Sequence, residues 1–193
     1  MSTREALLDV TARLYAEHGW RGTTTRRIAE AAGVNEVTIF RQFGSKEALL
    51  LESIQAASQD DEGQVGLPVQ PADLRAELVT WALAHHAAIN GKRQLIRNCL
   101  AEWEDHPELA PVVCEGGMKA FSETTRYLKA ARAQGLIAST GSVEAATVML
   151  MNAVFMDAMT RDVGSMSPPH TVAEVIDMFV NLILRALGAT EVA

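Results

Sequence analysis

GVNEVTIFRQFGSKEAL, residues 33–49, holds a turn, a very short helix, an aromatic stop and the start of another helix. Asn35 and Ser45 stand just ahead of the two helical runs. Both are residue types whose short polar side chains accept a hydrogen bond from an orphan N–H at a helix start. Upstream, Thr24 occupies the same position before Thr25-Arg26-Arg27-Ile28-Ala29. Ala29, Gly33 and Ile39 are spaced by four and six residues, as a helix-turn-helix requires. The small Ala29 lets two helices approach, Gly33 permits the positive φ of a tight turn, and a buried Ile39 pins the second helix to the first. Ile28, Val34 and Phe43 supply the surrounding core.

At about 100° per residue, Ile39 and Phe43 share one side of the third helix, and Val37 and Arg41 point the opposite way. Thr38 and Phe40 flank them. Arg41 suits guanine, whose O6 and N7 accept two hydrogen bonds from one guanidinium. Val37 has no polar atom, so its useful contact is a thymine methyl. Thr38 suits a phosphate or a base edge. Glu36 stands in the first helical turn, where a carboxylate is stabilised by the helix N-terminus. The alternative role for Glu36 is to accept a hydrogen bond from cytosine N4. Lys46, Thr25 and Arg26 suit phosphate contact. With Thr24, Phe40 and Gln42, these residues form the candidate DNA-binding set.

Charge supports a local site. The 193-residue chain carries a net −7, which argues against nonspecific coating of nucleic acid. Between Gly19 and Lys46, however, Arg21, Arg26, Arg27, Arg41 and Lys46 oppose only Glu30 and Glu36. That island is +3 and leaves −10 on the remainder. A basic island on an acidic body fits local phosphate contact.

The match becomes specific along residues 4–51, which resemble the DNA-binding domain of the tetracycline-repressor (TetR) family. The residues carrying the resemblance are Tyr15-Ala16-Glu17-His18-Gly19-Trp20, Thr23 to Ala29, Gly33-Val34, Thr38-Ile39-Phe40 and Phe43-Gly44-Ser45-Lys46-Glu47-Ala48-Leu49. The resemblance implies that the third helix and the start of the second contact DNA. It also implies a C-terminal domain for ligand binding and dimerisation. Two departures stand out. Phe40 occupies a place very often held by Tyr, whose hydroxyl reaches a phosphate. Glu36-Val37 replaces residues more often basic, small or Pro.

The rest of the chain is helical by periodicity, with no alternating strand pattern. The expected fold is all-α with about nine helices, comprising a helix-turn-helix domain over residues 1–50 and a helical ligand-binding and dimerisation domain over 51–193. The first helix starts at the capping box Ser2-x-x-Glu5, carries Leu7, Val10 and Leu14 as an apolar stripe, and stops at Gly19. Residues 59–70 form the predicted loop. Helices are then predicted over 71–90, 92–105, 108–133 with a weak point at Gly116-Gly117, 143–163 after the Ser142 cap, and from the Thr171-x-x-Glu174 capping box to Gly188. The last is apolar nearly all round, which predicts burial on both sides and a homodimer through Ala146, Met149, Val175, Phe179, Leu182 and Ile183. Two-fold symmetry then implies a palindromic operator in double-stranded DNA.

Trp81, His85, Trp103, Met118, Phe121, Met149, Asn152 and Met156 are candidates for a small-molecule effector pocket, each also suited to plain core. His85-His86 and the Glu102/His106 pair lack further partners at fixed spacing, so a solvated face is expected in place of a metal site. Cys99 and Cys114 are expected as buried thiols. No cofactor is expected, nor a membrane span or secretory signal, so the expected location is cytoplasmic. The favoured function is a homodimeric one-component repressor released by a small molecule. A ligand-independent DNA-binding adaptor or an activator is the alternative. An all-α enzyme carrying a helix-turn-helix finds no nucleophile–base pair, spaced carboxylates or phosphate loop in its favour.

Overall fold

The computed structural model describes residues 2–59, 65–138, 140–163 and 169–189. Among them are nine α-helices, one 3-10 turn and no strand. The helices are α1 (Thr3–Gly22), α2 (Thr25–Ala32), α3 (Glu36–Phe43), α4 (Lys46–Gln59), α5 (Leu74–Gly91), α6 (Arg93–Glu102), α7 (Ala110–Ala133), α8 (Val143–Thr160) and α9 (Val172–Ala186), with the 3-10 turn at Pro107–Leu109. The all-α expectation holds.

The predicted caps carry the hydrogen bonds that end these helices. Ser2 and Thr171 each close a reciprocal capping box with the glutamate three residues on. Thr24, Asn35 and Ser142 accept from the backbone of Arg27, Val37 and Ala145, and Ser45 accepts from Ala48. Such caps are worth about 1 kcal/mol each. Helix α7 runs unbroken through Gly116-Gly117. Of the predicted 59–70 loop, residues 60–64 lie outside the described residues; 65–70 are non-helical, and the Leu67 N–H donates to Glu123 Oε1 at 2.7 Å.

The chain divides into two compact units, and the division differs from a boundary at residue 50. The first comprises residues 1–61 and 92–117; the second comprises 62–91 and 118–193. The reason lies on α6, which sequence periodicity placed with the C-terminal helices. Leu95 and Cys99 of α6 join Tyr15, Trp20, Leu50, Ile54 and Leu109 in one buried cluster. Asn98 adds two hydrogen bonds to main-chain carbonyls of α1, Tyr15 O at 2.7 Å and Ala16 O at 2.9 Å.

In the second unit α5, α8 and α9 pack on one another around Leu78, Trp81, Leu128, Leu150, Val154, Ile176, Val180 and Leu184. By length and composition α8 is apolar enough to cross a bilayer, yet half of it is buried inside this core. Its inner end is polar. Asp157 accepts from His86 Nε2 at 2.9 Å and from both Nε and an Nη of Arg161 at 2.8 Å, and all three side chains are largely buried. His86 therefore stands on no solvated face, contrary to expectation, because Asp157 gives its ring a buried partner. Cys114 departs the other way: Cys99 is buried, whereas Cys114 is exposed.

Candidate nucleic-acid interface

The reading head is built on a five-residue core of Leu7, Ile28, Ala29, Ile39 and Leu49, with Leu8, Leu14, Val34 and Phe43 packed around it. Gly33 caps α2 at φ 66° and turns the chain into α3, a left-handed conformation that costs a residue with a Cβ about 1–2 kcal/mol. Ile39 is fully buried, while Val37 is 69% exposed and Phe40 50% exposed. Arg41 is exposed beside them, and Thr38 is half-buried. The predicted orientation of α3 is thus the one observed.

Two candidate DNA contacts turn out to engage each other. The Thr25 hydroxyl donates to Glu36 Oε2 at 2.7 Å, tying the start of α2 to the first turn of α3. Thr24 is occupied as the N-cap, and Arg26 forms an i,i+4 pair with Glu30 at 2.9 Å on the open surface. Gln42 is half-buried, with its Oε1 enclosed and lacking a hydrogen-bond partner.

Lys46 has a second duty that its sequence did not reveal. Its Nζ donates to the carbonyl of Trp20 at 2.8 Å, leaving further donor capacity on the ammonium. The N–H of the same Trp20 donates to Glu102 Oε1 at 2.8 Å, so this residue's backbone is held by α4 on one side and by α6 on the other. Here α1 is kinked at Gly19, where φ is 66°. A side chain at Gly19 would set its Cβ 2.9 Å from Glu102 Oε1, so glycine serves both the backbone angle and the approach of the carboxylate. The Tyr15 hydroxyl donates to Glu102 Oε2 at 3.1 Å and lies 3.6 Å from Cys99 Sγ. Burial above all, then Cys99 and Glu102, pushes the Tyr15 hydroxyl well above its ordinary pKa, so it remains a donor. His106 stacks on Trp20 with ring centroids 3.8 Å apart. Glu102 and His106, expected on a solvated face and not as a metal site, instead converge on Trp20. The signal available in the sequence was their i,i+4 spacing; their target was not.

The effector candidates scatter. In the second unit Trp81 is buried, His85 stacks on it at 5.0 Å, and Phe121 is half-buried. Burial chiefly lowers the pKa of His85 below its ordinary value. Glu123 accepts from Trp81 Nε1 at 3.3 Å as well as from Leu67, a polar anchor missed from sequence. Met118 is exposed, and Trp103, also exposed, belongs to the first unit. Met149, Asn152 and Met156 are exposed on α8. Among the dimer candidates, Ala146 and Ile183 lie in the buried cluster of the second unit, Val175 is also buried, and Phe179 packs against that cluster. Met149 and Leu182 are 61% and 64% exposed, accompanied by Val148 and Met178.

The comparisons agree with this geometry. A family described as "Bacterial regulatory proteins, tetR family" matches residues 7–53, the reading head. The HTH-type transcriptional regulator YvkB of Bacillus subtilis is 27% identical over 77% of each chain. The HTH-type transcriptional repressor KstR2 of Rhodococcus jostii is 33% identical over 48% of this chain and 46% of its own. A TetR-family regulator structure from Mesorhizobium loti superposes with a TM-score of 0.79 at 21% identity, covering 97% of both chains, and so shares the fold. With Ile39 buried and Arg41 facing out, residues 7–53 match the DNA-binding head of the tetR family of bacterial regulatory proteins.

Proposed function

We propose that this regulator is a homodimeric repressor that binds a palindromic operator and is released by a small-molecule ligand. The observation that carries the reading is the division of α3 into a buried Ile39 side and an open side of Val37, Phe40 and Arg41. In this reading Arg41 reads a guanine, and the Lys46 ammonium adds a phosphate to the Trp20 carbonyl it already holds. The exposed apolar side chains Val148 and Met149 on α8 and Met178 and Leu182 on α9, two helices that pack together, support a second copy as partner, since open apolar surface favours burial between subunits. Two heads related by a two-fold axis then meet successive turns of one groove face, about 34 Å apart. Trp81, His85 and Phe121 are the remaining candidates for contact with an effector. An effector that prefers a different separation of the heads lowers operator affinity by its differential binding. The site of action is the cytoplasm.

The test is a mobility shift with the DNA upstream of the protein's own gene, together with its mass in solution. A salt-sensitive, sequence-preferring complex of two chains per site is expected. A monomer with no preference for any duplex overturns the reading. A ligand screen by thermal shift separates the ligand-independent adaptor, which shows no stabilisation by any small molecule.

A further inference from the structure

The open face of α3 has an unusual composition for a surface that meets a polyanion. Val37, Phe40 and Arg41 lie within an arc of about 100°, with Val37 in the middle, because three- and four-residue steps return to the same side of a helix. Val37 and Phe40 are 69% and 50% exposed, in a helix of eight residues. Of the side chains bordering them, Thr38 is half-buried and two are otherwise employed. Glu36 accepts from Thr25, and Gln42 turns its Oε1 inward. One guanidinium and two apolar side chains are therefore what the middle of the helix offers to a groove.

The apolar feature of a base-pair edge in the major groove is the C5-methyl group of a pyrimidine; the other edge atoms there are hydrogen-bond donors and acceptors. We propose that Val37 and Phe40 are specificity-determining residues that recognise C5-methyl groups, so that each half-site carries methyl-bearing pyrimidines beside the guanine read by Arg41. The inference rests on the DNA-binding role of α3 and specifies its chemistry. Along the helix axis Phe40 and Arg41 stand about 4.5 and 6 Å from Val37. Base pairs rise about 3.4 Å, so the methyl groups fall within about two steps of that guanine. The phenyl ring of Phe40 carries no hydroxyl and so has no hydrogen bond to give to a phosphate or a base edge. Thymine and 5-methylcytosine present the same methyl group, and the test separates them.

The full-length protein is used to enrich duplexes from a randomised library, and the enriched duplex is the probe. Each thymine is then replaced singly by deoxyuridine, which removes the methyl and leaves every hydrogen-bonding atom in place. Loss of affinity by about fourfold is expected at one or two positions per half-site, the value of one buried methyl group. Val37→Ala and Phe40→Ala are expected to bind the thymine duplex more weakly, yet each to lose the deoxyuridine penalty at its own position. That loss of discrimination is not produced by a misfolded head, which weakens both duplexes alike. A 5-methylcytosine duplex that gains affinity at a cytosine, with no deoxyuridine penalty elsewhere, assigns the methyl to cytosine. Unchanged affinity on every deoxyuridine and 5-methylcytosine duplex overturns the inference while leaving DNA binding intact. A penalty that persists undiminished in both variants also overturns it, and failure to enrich any sequence removes the DNA-binding reading beneath it.

Discussion

The head around α2 and α3 and the core shared by α5, α7, α8 and α9 are both helical, but they are specified by different physics. In the head, function is set by short-range chemistry. N-caps at Thr24, Asn35 and Ser45, a left-handed Gly33 and a single buried Ile39 fix which side chains face out. In that second core, many interchangeable apolar residues share the work, and the distinctive features are polar groups set into it: the His86–Asp157–Arg161 cluster and Glu123. A head built on few, position-specific contacts is readable by spacing. A core built on distributed packing is not, because volume and apolarity constrain residue identity only loosely.

The sharpest way to break this contrast is to remove the polar exception in the core. Asp157→Ala leaves His86 and Arg161 with no carboxylate in a buried setting, and a loss of about 3–5 kcal/mol is expected in denaturant unfolding. A change near zero would show that the core relies on apolar packing alone. In the head, Ile39→Ala is expected to cost about 2–4 kcal/mol, because the cavity lies in a five-residue apolar cluster with little else to share the loss. Retained operator affinity in that variant would mean that α3 holds its place without its buried anchor.

Two smaller effects sharpen the comparison at the surface. Arg41→Ala is expected to cost about 1–3 kcal/mol of binding and to relax preference at one base pair, whereas Lys46→Ala weakens all sequences alike and lowers the salt dependence. Part of the Lys46 effect will act through the Trp20 carbonyl it holds, so its stability is measured alongside. Equal losses for both variants on specific and random duplexes would refute this division. In the core, burial holds the folded pKa of His85 below its ordinary 6.5, so the unfolded chain binds the proton first. Stability is therefore complete above pH 6.5 and falls as pH drops from there toward the folded value. His85→Phe is expected to flatten that slope in thermal unfolding; an unchanged slope would move the cause to another group.

The legibility of the sequence follows the same line. Caps, the glycine turn and the facing of Val37, Ile39 and Arg41 were all evident from residue type and spacing, since these are contacts within about one turn. Helix α7 passing through Gly116-Gly117 shows where propensity misleads: the pair is exposed, and the helix runs on through it to the buried Ala120, Tyr127, Leu128 and Ala131, whose packing favours the helix as a whole. Glu102 is the instructive case. Its spacing to His106 was visible, but its partners, the Trp20 N–H and the Tyr15 hydroxyl, lie more than eighty residues earlier. Likewise the pairing of Asp157 with Arg161 follows from i,i+4 spacing, and the arrival of His86 does not.

By itself, then, the sequence determined the helical class, the helix-turn-helix and the side of α3 that faces outward, because each is written in local periodicity and in caps that act over three or four residues. Tertiary structure decided that α6 packs with the head, that Lys46 and Glu102 hold the two sides of Trp20, and that Ala146, Val175 and Ile183 are buried while Met149 and Leu182 remain open. Those outcomes depend on which apolar face meets which. Many faces in this chain are apolar enough to be buried, and only the assembled packing chooses among them.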